Sequence, residues 1–269
     1  MRLHRSFCSL CALYCLLLPL LLACDALPTV SVSSSTQTPT PTTSAWHTTA
    51  PGVEVRQETW SIPQGGRDVI ALARFDLRHV TLHVKYQPDH PLSMEDWIHQ
   101  EQAAALINGG YFDGLDRATA LVISDSQVSG TSYSGFGGML AVDAQGHIQL
   151  RSLREQPYDP SERLTQATQS APMLILHGQR TQFNADNHPA PRSVVAIDKQ
   201  GRMLFIASPG AVFTLDNMAD LLTHSDLDLQ TALNLDGGSS TGLYVNGNTQ
   251  PITIDSYVNL PLVIVVKEK

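Results

Sequence analysis

The chain has 269 residues, with 17 Lys+Arg against 25 Asp+Glu, and only four cysteines. A formal net charge of −8 argues against non-specific binding to nucleic acid or anionic lipid, although an anionic substrate needs only one local basic group. All four cysteines (Cys8, Cys11, Cys15, Cys24) lie in the first 24 residues, so the rest has no disulfide, thiolate metal site or cysteine nucleophile.

The N-terminus reads as a lipoprotein signal peptide over residues 1–23. Arg2 and Arg5 give a positive start, Leu10–Ala23 is uncharged and apolar, and Leu21-Leu22-Ala23-Cys24 closes the run with a lipobox. The apolar run falls short of the ~20 residues that a spanning helix needs. Cys24 is therefore the expected lipidation site, and the protein is expected outside the cytoplasm, held at the cell membrane by that lipid anchor alone. Without Arg2 and Arg5 the balance is 15 against 25, a net of −10. Residues 24–51 are expected to be a tether: between Pro28 and Pro51, 17 of 24 residues are Ser, Thr or Pro and none is charged. Such a stretch buries too little apolar area to offset the entropy of ordering it.

Residues 52–269 are expected to form one folded domain. Val53 and Val55, then Val80, Leu82, Val84 and Tyr86, alternate apolar with polar as half-buried strands do. Ser93-Met-Glu-Asp96 is a capping box that opens a helix to about Ala104. Ala105–Ile107 predicts a strand ending at Asn108-Gly109-Gly110. The run Gly135–Val142 predicts a strand that turns through Asp143-Ala-Gln-Gly146 into Ile148 and Leu150. Further strands are predicted at Met173–Leu176, Val194–Asp198 and Met203–Ala207, the last two joined by Lys199-Gln-Gly201. Thr214 caps a second helix, Leu215 to about His224. Leu233–Leu235 is a short strand running into Asp236-Gly237-Gly238-Ser239, and Leu262–Val266 closes the chain as a buried strand. Strands dominate, two helices are clear and no fixed-period repeat is present. The fold class is α+β, a single domain with a largely antiparallel or mixed sheet and a few helices.

Two strand ends stand out because each presents a polar residue before paired glycines: Asn108-Gly109-Gly110-Tyr111-Phe112-Asp113 and Asn234-Leu235-Asp236-Gly237-Gly238-Ser239-Ser240. Paired glycines let backbone approach a ligand closely. Arg192 stands at a strand entrance and carries a planar, permanent charge suited to phosphate. His224, Asp226 and Asp228 alternate as metal ligands do, but the ten histidines contain no His-x-x-x-His pair, so no metal and no cofactor is expected.

The runs Ala105–Asp113, Gly135–Leu140, Ala167–Leu174, Arg192–Asp198, Phe213–Leu222 and Leu233–Gly247 resemble, in order, the successive blocks of the phosphodiester glycosidase family. The resemblance extends from about Val69 to the C-terminus. It implies cleavage of the bond between a sugar C1 and a phosphodiester oxygen, with a sugar-phosphate glycan of the envelope or the extracellular space as substrate. It also implies a site lined by Asn108, Gly109, Gly110, Arg192, Asp236, Gly237, Gly238 and Ser239. In that chemistry Asp236 stabilises or traps the oxocarbenium-like sugar, and Arg192 takes the phosphate. Backbone N–H groups of Gly237–Ser239 add donors, and Asn108 holds sugar hydroxyls or orients the carboxylate. Asp113 or Asp116 would serve as a second carboxylate. Two other readings are a non-catalytic envelope-glycan binding module and a metal-dependent phosphodiesterase built on His224, Asp226 and Asp228.

Overall fold

The computed structural model describes residues 44–184 and 187–269. The signal peptide, Cys24 and the tether up to residue 43 lie outside the described residues. The chain folds into three sheets whose pairings among the described residues are all antiparallel. The largest has eight strands, in the order His47–Ala50, Val53–Ser61, Arg67–Phe75, Met203–Ser208, Arg192–Asp198, Leu229–Asn234, Met173–Leu176 and Gln179–Arg180. A second sheet orders Gln127–Ser129, Val122–Ser124, Leu164–Ser170, Gly138–Asp143 and Ile148–Ser152. The third orders Ile252–Ile254, Leu243–Val245, Ala105–Asn108, Leu262–Glu268 and Val80–Tyr86.

Residue alternation explains why these sheets pack as they do. Along the eight-stranded sheet Ala71, Ala73, Phe75, Val195 and Phe205 face the central core, where Leu82, Ile107, Leu140, Val142, Ile264 and Val266 from the other two sheets meet them. Phe75 and Phe205 meet edge-to-face with centroids 4.9 Å apart. The intervening Ile70, Leu72, Val194, Ala196 and Ile206 point to the opposite face, which helix Leu215–His224 covers with Met218, Ala219 and Leu222. Burial on both faces is the reason these strands read as almost unbroken apolar runs. Helix Met94–Glu101 covers the third sheet in the same way, seating Met94, Trp97 and Ile98 on Leu106, Val263 and Val265.

Both predicted caps form. The Ser93 side chain accepts from the Asp96 N–H, and Thr214 and Asn217 satisfy each other reciprocally. The first helix stops at Glu101 rather than near Ala104, because Gln102 turns left-handed with φ 48°. With two short helices against eighteen strands among the described residues, the fold is mainly β and antiparallel, so α+β overstates the helical share.

The boundary at residue 52 also needs correction. His47–Ala50 pairs with Val53–Ser61, and the Trp46 ring lies between the Arg56 and Arg74 guanidinium groups, 4.7 and 4.0 Å from its centroid. A Ser/Thr/Pro count cannot register that one aromatic ring finds two cations in the fold.

Candidate active site

The two glycine-bearing strand ends belong to different sheets, and the fold joins them by direct hydrogen bonds. The Asp236 N–H donates to the Gly109 carbonyl at 3.1 Å. The Asn108 side-chain amide donates to the Asp236 carbonyl at 2.7 Å, and its Oδ1 accepts from the Gly242 N–H at 3.2 Å. A third strand end closes the cluster: Leu235 N–H donates to Ser193 O at 2.9 Å, and Gly238 N–H to Pro191 O at 2.9 Å. The glycines make this approach possible. A Cβ on Gly109 would overlap the Leu262 side chain, one on Gly110 would overlap the Gln169 carbonyl, and one on Gly237 would stand 2.8 Å from Pro191 O.

Asp236 sits half-buried where these ends meet. Burial pushes its carboxyl above the ordinary aspartate range, while the Ser240 hydroxyl and the Gly237 N–H partly offset this by favouring the charged form. A short 3-10 turn, Gly238–Ser240, brings Ser240 back toward the carboxylate, and Gly238 takes φ 59°, which suits glycine. Tyr111 faces the same charge. Burial and the Asp236 carboxylate raise its phenol to about 12, with the Arg192 charge opposing them. The phenol therefore stays protonated; it donates to the Ala171 carbonyl at 2.9 Å and accepts from the Asn234 amide at 2.8 Å. Around this cluster the Thr168, Ser170, Ser193 and Thr241 hydroxyls and Asn234 Oδ1 are buried without a partner among the described residues. Natural folds leave few such groups, and a concentration of them marks a site built for more than packing.

Several expected roles change on this geometry. Asn108 is 1% exposed and spends its amide on backbone, so it locks the loops together instead of meeting sugar hydroxyls. Gly109 and Gly110 are buried and serve close packing rather than lining a surface. Arg192 is buried too. Its Nε donates to Phe213 O at 3.0 Å and its Nη2 to His188 O at 2.7 Å, which holds its charge in place beside Gly237. Gly237 and Gly238 do border Asp236, but their N–H groups serve the carboxylate and Pro191. Ser239 is exposed, and its carbonyl accepts from the Tyr257 N–H at 2.8 Å.

Asp113 is a turn residue. Its carboxylate accepts from the Leu115 and Arg117 N–H groups, which hold it below the usual range, and Asp116 occupies the same turn with φ 61°. The three residues of the metal reading go to different partners. Asp226 pairs with buried Arg56 at 2.6 and 2.8 Å, Asp228 with Lys199 at 2.6 Å, and His224 with the Asp220 carbonyl at 2.7 Å.

Sequence reasoning passed over Tyr111, Asn234 and Ser240, although all three stand inside the motifs it singled out.

A family model described as phosphodiester glycosidase matches residues 101–266. Among solved structures, the fold is similar to the zebrafish N-acetylglucosamine-1-phosphodiester alpha-N-acetylglucosaminidase catalytic domain auto-inhibited by its pro-peptide. That match has a TM-score of 0.65 and 19% identity, covering 84% of this chain and 87% of that one. It is also similar to a protein from Synechocystis, with a TM-score of 0.61 and 16% identity over 82% of this chain and 63% of that one. A sequence comparison with curated proteins finds no match.

Proposed function

The chain belongs to the phosphodiester glycosidase family, and from that premise we propose that it hydrolyses the bond between a sugar C1 and a phosphodiester oxygen in glycans of the envelope or the extracellular space. The observation that carries the proposal is the half-buried Asp236 carboxyl at the junction of three strand ends, supported by Ser240 and set beside protonated Tyr111 and fixed Arg192. As the C1–O bond breaks, its electron pair leaves with the phosphate oxygen and positive charge grows on the sugar. A carboxylate in a partly desolvated setting stabilises or traps that charge more strongly than one in water. The departing phosphate monoester is a weak base, so it needs little protonation, and the permanent Arg192 charge would favour its departure. Water then adds to C1, and its proton passes to solvent.

Export and lipidation at Cys24 belong to the same proposal, resting on the lipobox, and would place this chemistry at the outer face of the membrane. Cys24→Ser is expected to abolish acyl labelling.

The deciding experiment incubates the purified protein with sugar-1-phosphodiesters in ¹⁸O-water and weighs both products. N-acetylglucosamine-1-phosphodiesters come first in the panel, after the name of the zebrafish enzyme. Label on the free sugar, with the phosphate released as a monoester still joined to its other alcohol, is the expected result. Label on phosphate would mean attack at phosphorus and would overturn the glycosidase reading. Binding without turnover would leave a glycan-binding module.

A further inference from the structure

The segment between strands Ile252–Ile254 and Leu262–Glu268 runs past the turn that follows Asp236, and it is pinned along its length. At its start the Tyr244 phenol donates to the Asp255 carboxylate. Burial and that carboxylate both push the phenol's pKa up, so it stays a donor at neutral pH. In the middle the Ser256 hydroxyl donates to Val258 O at 2.7 Å, and the Tyr257 N–H donates to Ser239 O at 2.8 Å. At its end Leu260 exchanges backbone bonds of 2.8 and 3.2 Å with Leu92, and its carbonyl accepts from the Trp97 indole at 2.8 Å.

This held segment presents one ring that the domain itself does not use. Tyr257 is 83% exposed, more than any other large hydrophobic side chain among the described residues. Among those residues its hydroxyl has no hydrogen-bond partner and its ring no stacking or cation–π contact, whereas exposed Phe136 is stacked on Tyr133 with centroids 4.6 Å apart. We propose that Tyr257 is a specificity-determining residue, whose ring receives one face of the substrate's pyranose sugar while C1 meets Asp236. The proposal rests on the glycosidase reading for its place in the reaction.

Position ties the ring to the chemistry. Ser239, whose carbonyl takes the Tyr257 N–H, lies three residues from Asp236, so their Cα atoms stand within about 11 Å even at full extension. The 3-10 turn Gly238–Ser240 shortens that span. A tyrosine side chain and one sugar ring bridge it together.

The chemistry suits a pyranose. Such a sugar carries its equatorial hydroxyls around the rim and C–H groups on its faces. An aromatic ring, negative on its face, attracts those C–H groups while the phenol tip stays in water. Because the segment is already pinned, binding a sugar there does not incur the cost of ordering a free loop. Asp236 favours positive charge at C1 in any sugar. A face-on ring discriminates, because an axial hydroxyl on the stacked face breaks the contact.

The test uses the full protein and its Tyr257→Ala and Tyr257→Phe variants. The tie to Ser239 is a backbone bond and the side chain is exposed, so both variants should keep their Tm to within about 2 °C. On a pyranosyl-1-phosphodiester that the wild type hydrolyses, Tyr257→Ala should raise KM about five- to tenfold with kcat within about twofold, and Tyr257→Phe should recover most of that loss. A fall in kcat at unchanged KM would assign the residue to holding the Asp236 turn and would overturn the platform. So would a Tyr257→Phe variant as impaired as Tyr257→Ala, since the ring face would then not be what binds.

A second arm needs no turnover: NMR titration with methyl α-glucoside, methyl α-galactoside and methyl α-mannoside, which differ in the placing of one axial hydroxyl. The wild type should bind them unequally. Tyr257→Ala should weaken the best-bound one about five- to tenfold and narrow the spread among the three, and Tyr257→Phe should restore it. That pattern, with no hydrolysis of any diester, would sustain the platform while the glycosidase reading falls. No binding of any pyranoside, or binding indifferent to Tyr257→Ala, would overturn the platform even in an active enzyme.

Discussion

Asn108→Ala separates a residue that holds the site together from one that touches substrate. In the fold this amide does two jobs at once, donating to the Asp236 carbonyl at 2.7 Å and accepting from the Gly242 N–H at 3.2 Å, at a position only 1% exposed. Truncation leaves one buried acceptor and one buried donor unpaired. Each costs roughly 1–3 kcal/mol, so the loss should be about 2–6 kcal/mol out of the ~5–15 kcal/mol typical of a domain. For a domain of this size that is a fall in Tm of roughly 4–24 °C. Urea unfolding and a thermal melt measure it directly, and kcat/KM on a sugar-1-phosphodiester should fall as well, because the Asp236 loop loses its tie. Asn108→Asp should rescue little: a carboxylate can still accept from Gly242, but it offers no donor to the Asp236 carbonyl. A variant that keeps its stability to within about 1 kcal/mol while losing all activity would refute this reasoning and return Asn108 to the role of a substrate contact.

Asp236→Asn should reduce turnover by on the order of 10² to 10⁴, the range for single electrostatic or acid–base groups. Burial raises the folded-state pKa of Asp236 above its unfolded value, so its ionisation costs stability once pH rises through that folded value. The amide should therefore melt no lower than the wild type at neutral pH, with any advantage fading below the ordinary aspartate range; a clear drop in Tm at pH 7 would contradict this. Ser240→Ala removes a group that lowers the Asp236 pKa, so the acid limb of kcat/KM should move to higher pH, and an unmoved limb would show that Ser240 does not support the carboxylate. Gly110→Ala places a Cβ against the Gln169 carbonyl and should cost at least about 1–3 kcal/mol by overpacking, read from urea midpoints.

What the sequence determined by itself is local. Alternation over Val80–Tyr86, the caps at Ser93 and Thr214, and the hairpin through Lys199-Gln-Gly201 are interactions among residues close along the chain, and all appear where expected. The two glycine-bearing ends were legible for the same reason, since a polar residue before paired glycines needs no distant partner to be recognised. Only the tertiary structure decided that the strands lie in three antiparallel sheets, that Trp46 docks between Arg56 and Arg74, and that Asn108 points inward to bind the Asp236 loop 128 residues away. Burial settled the rest. A guanidinium reads the same in sequence whether it ends among backbone carbonyls, as Arg192 does, or stays exposed, as Arg154 does. Desolvation and the supply of competing donors are properties of the packed chain, and they assign each charge its role.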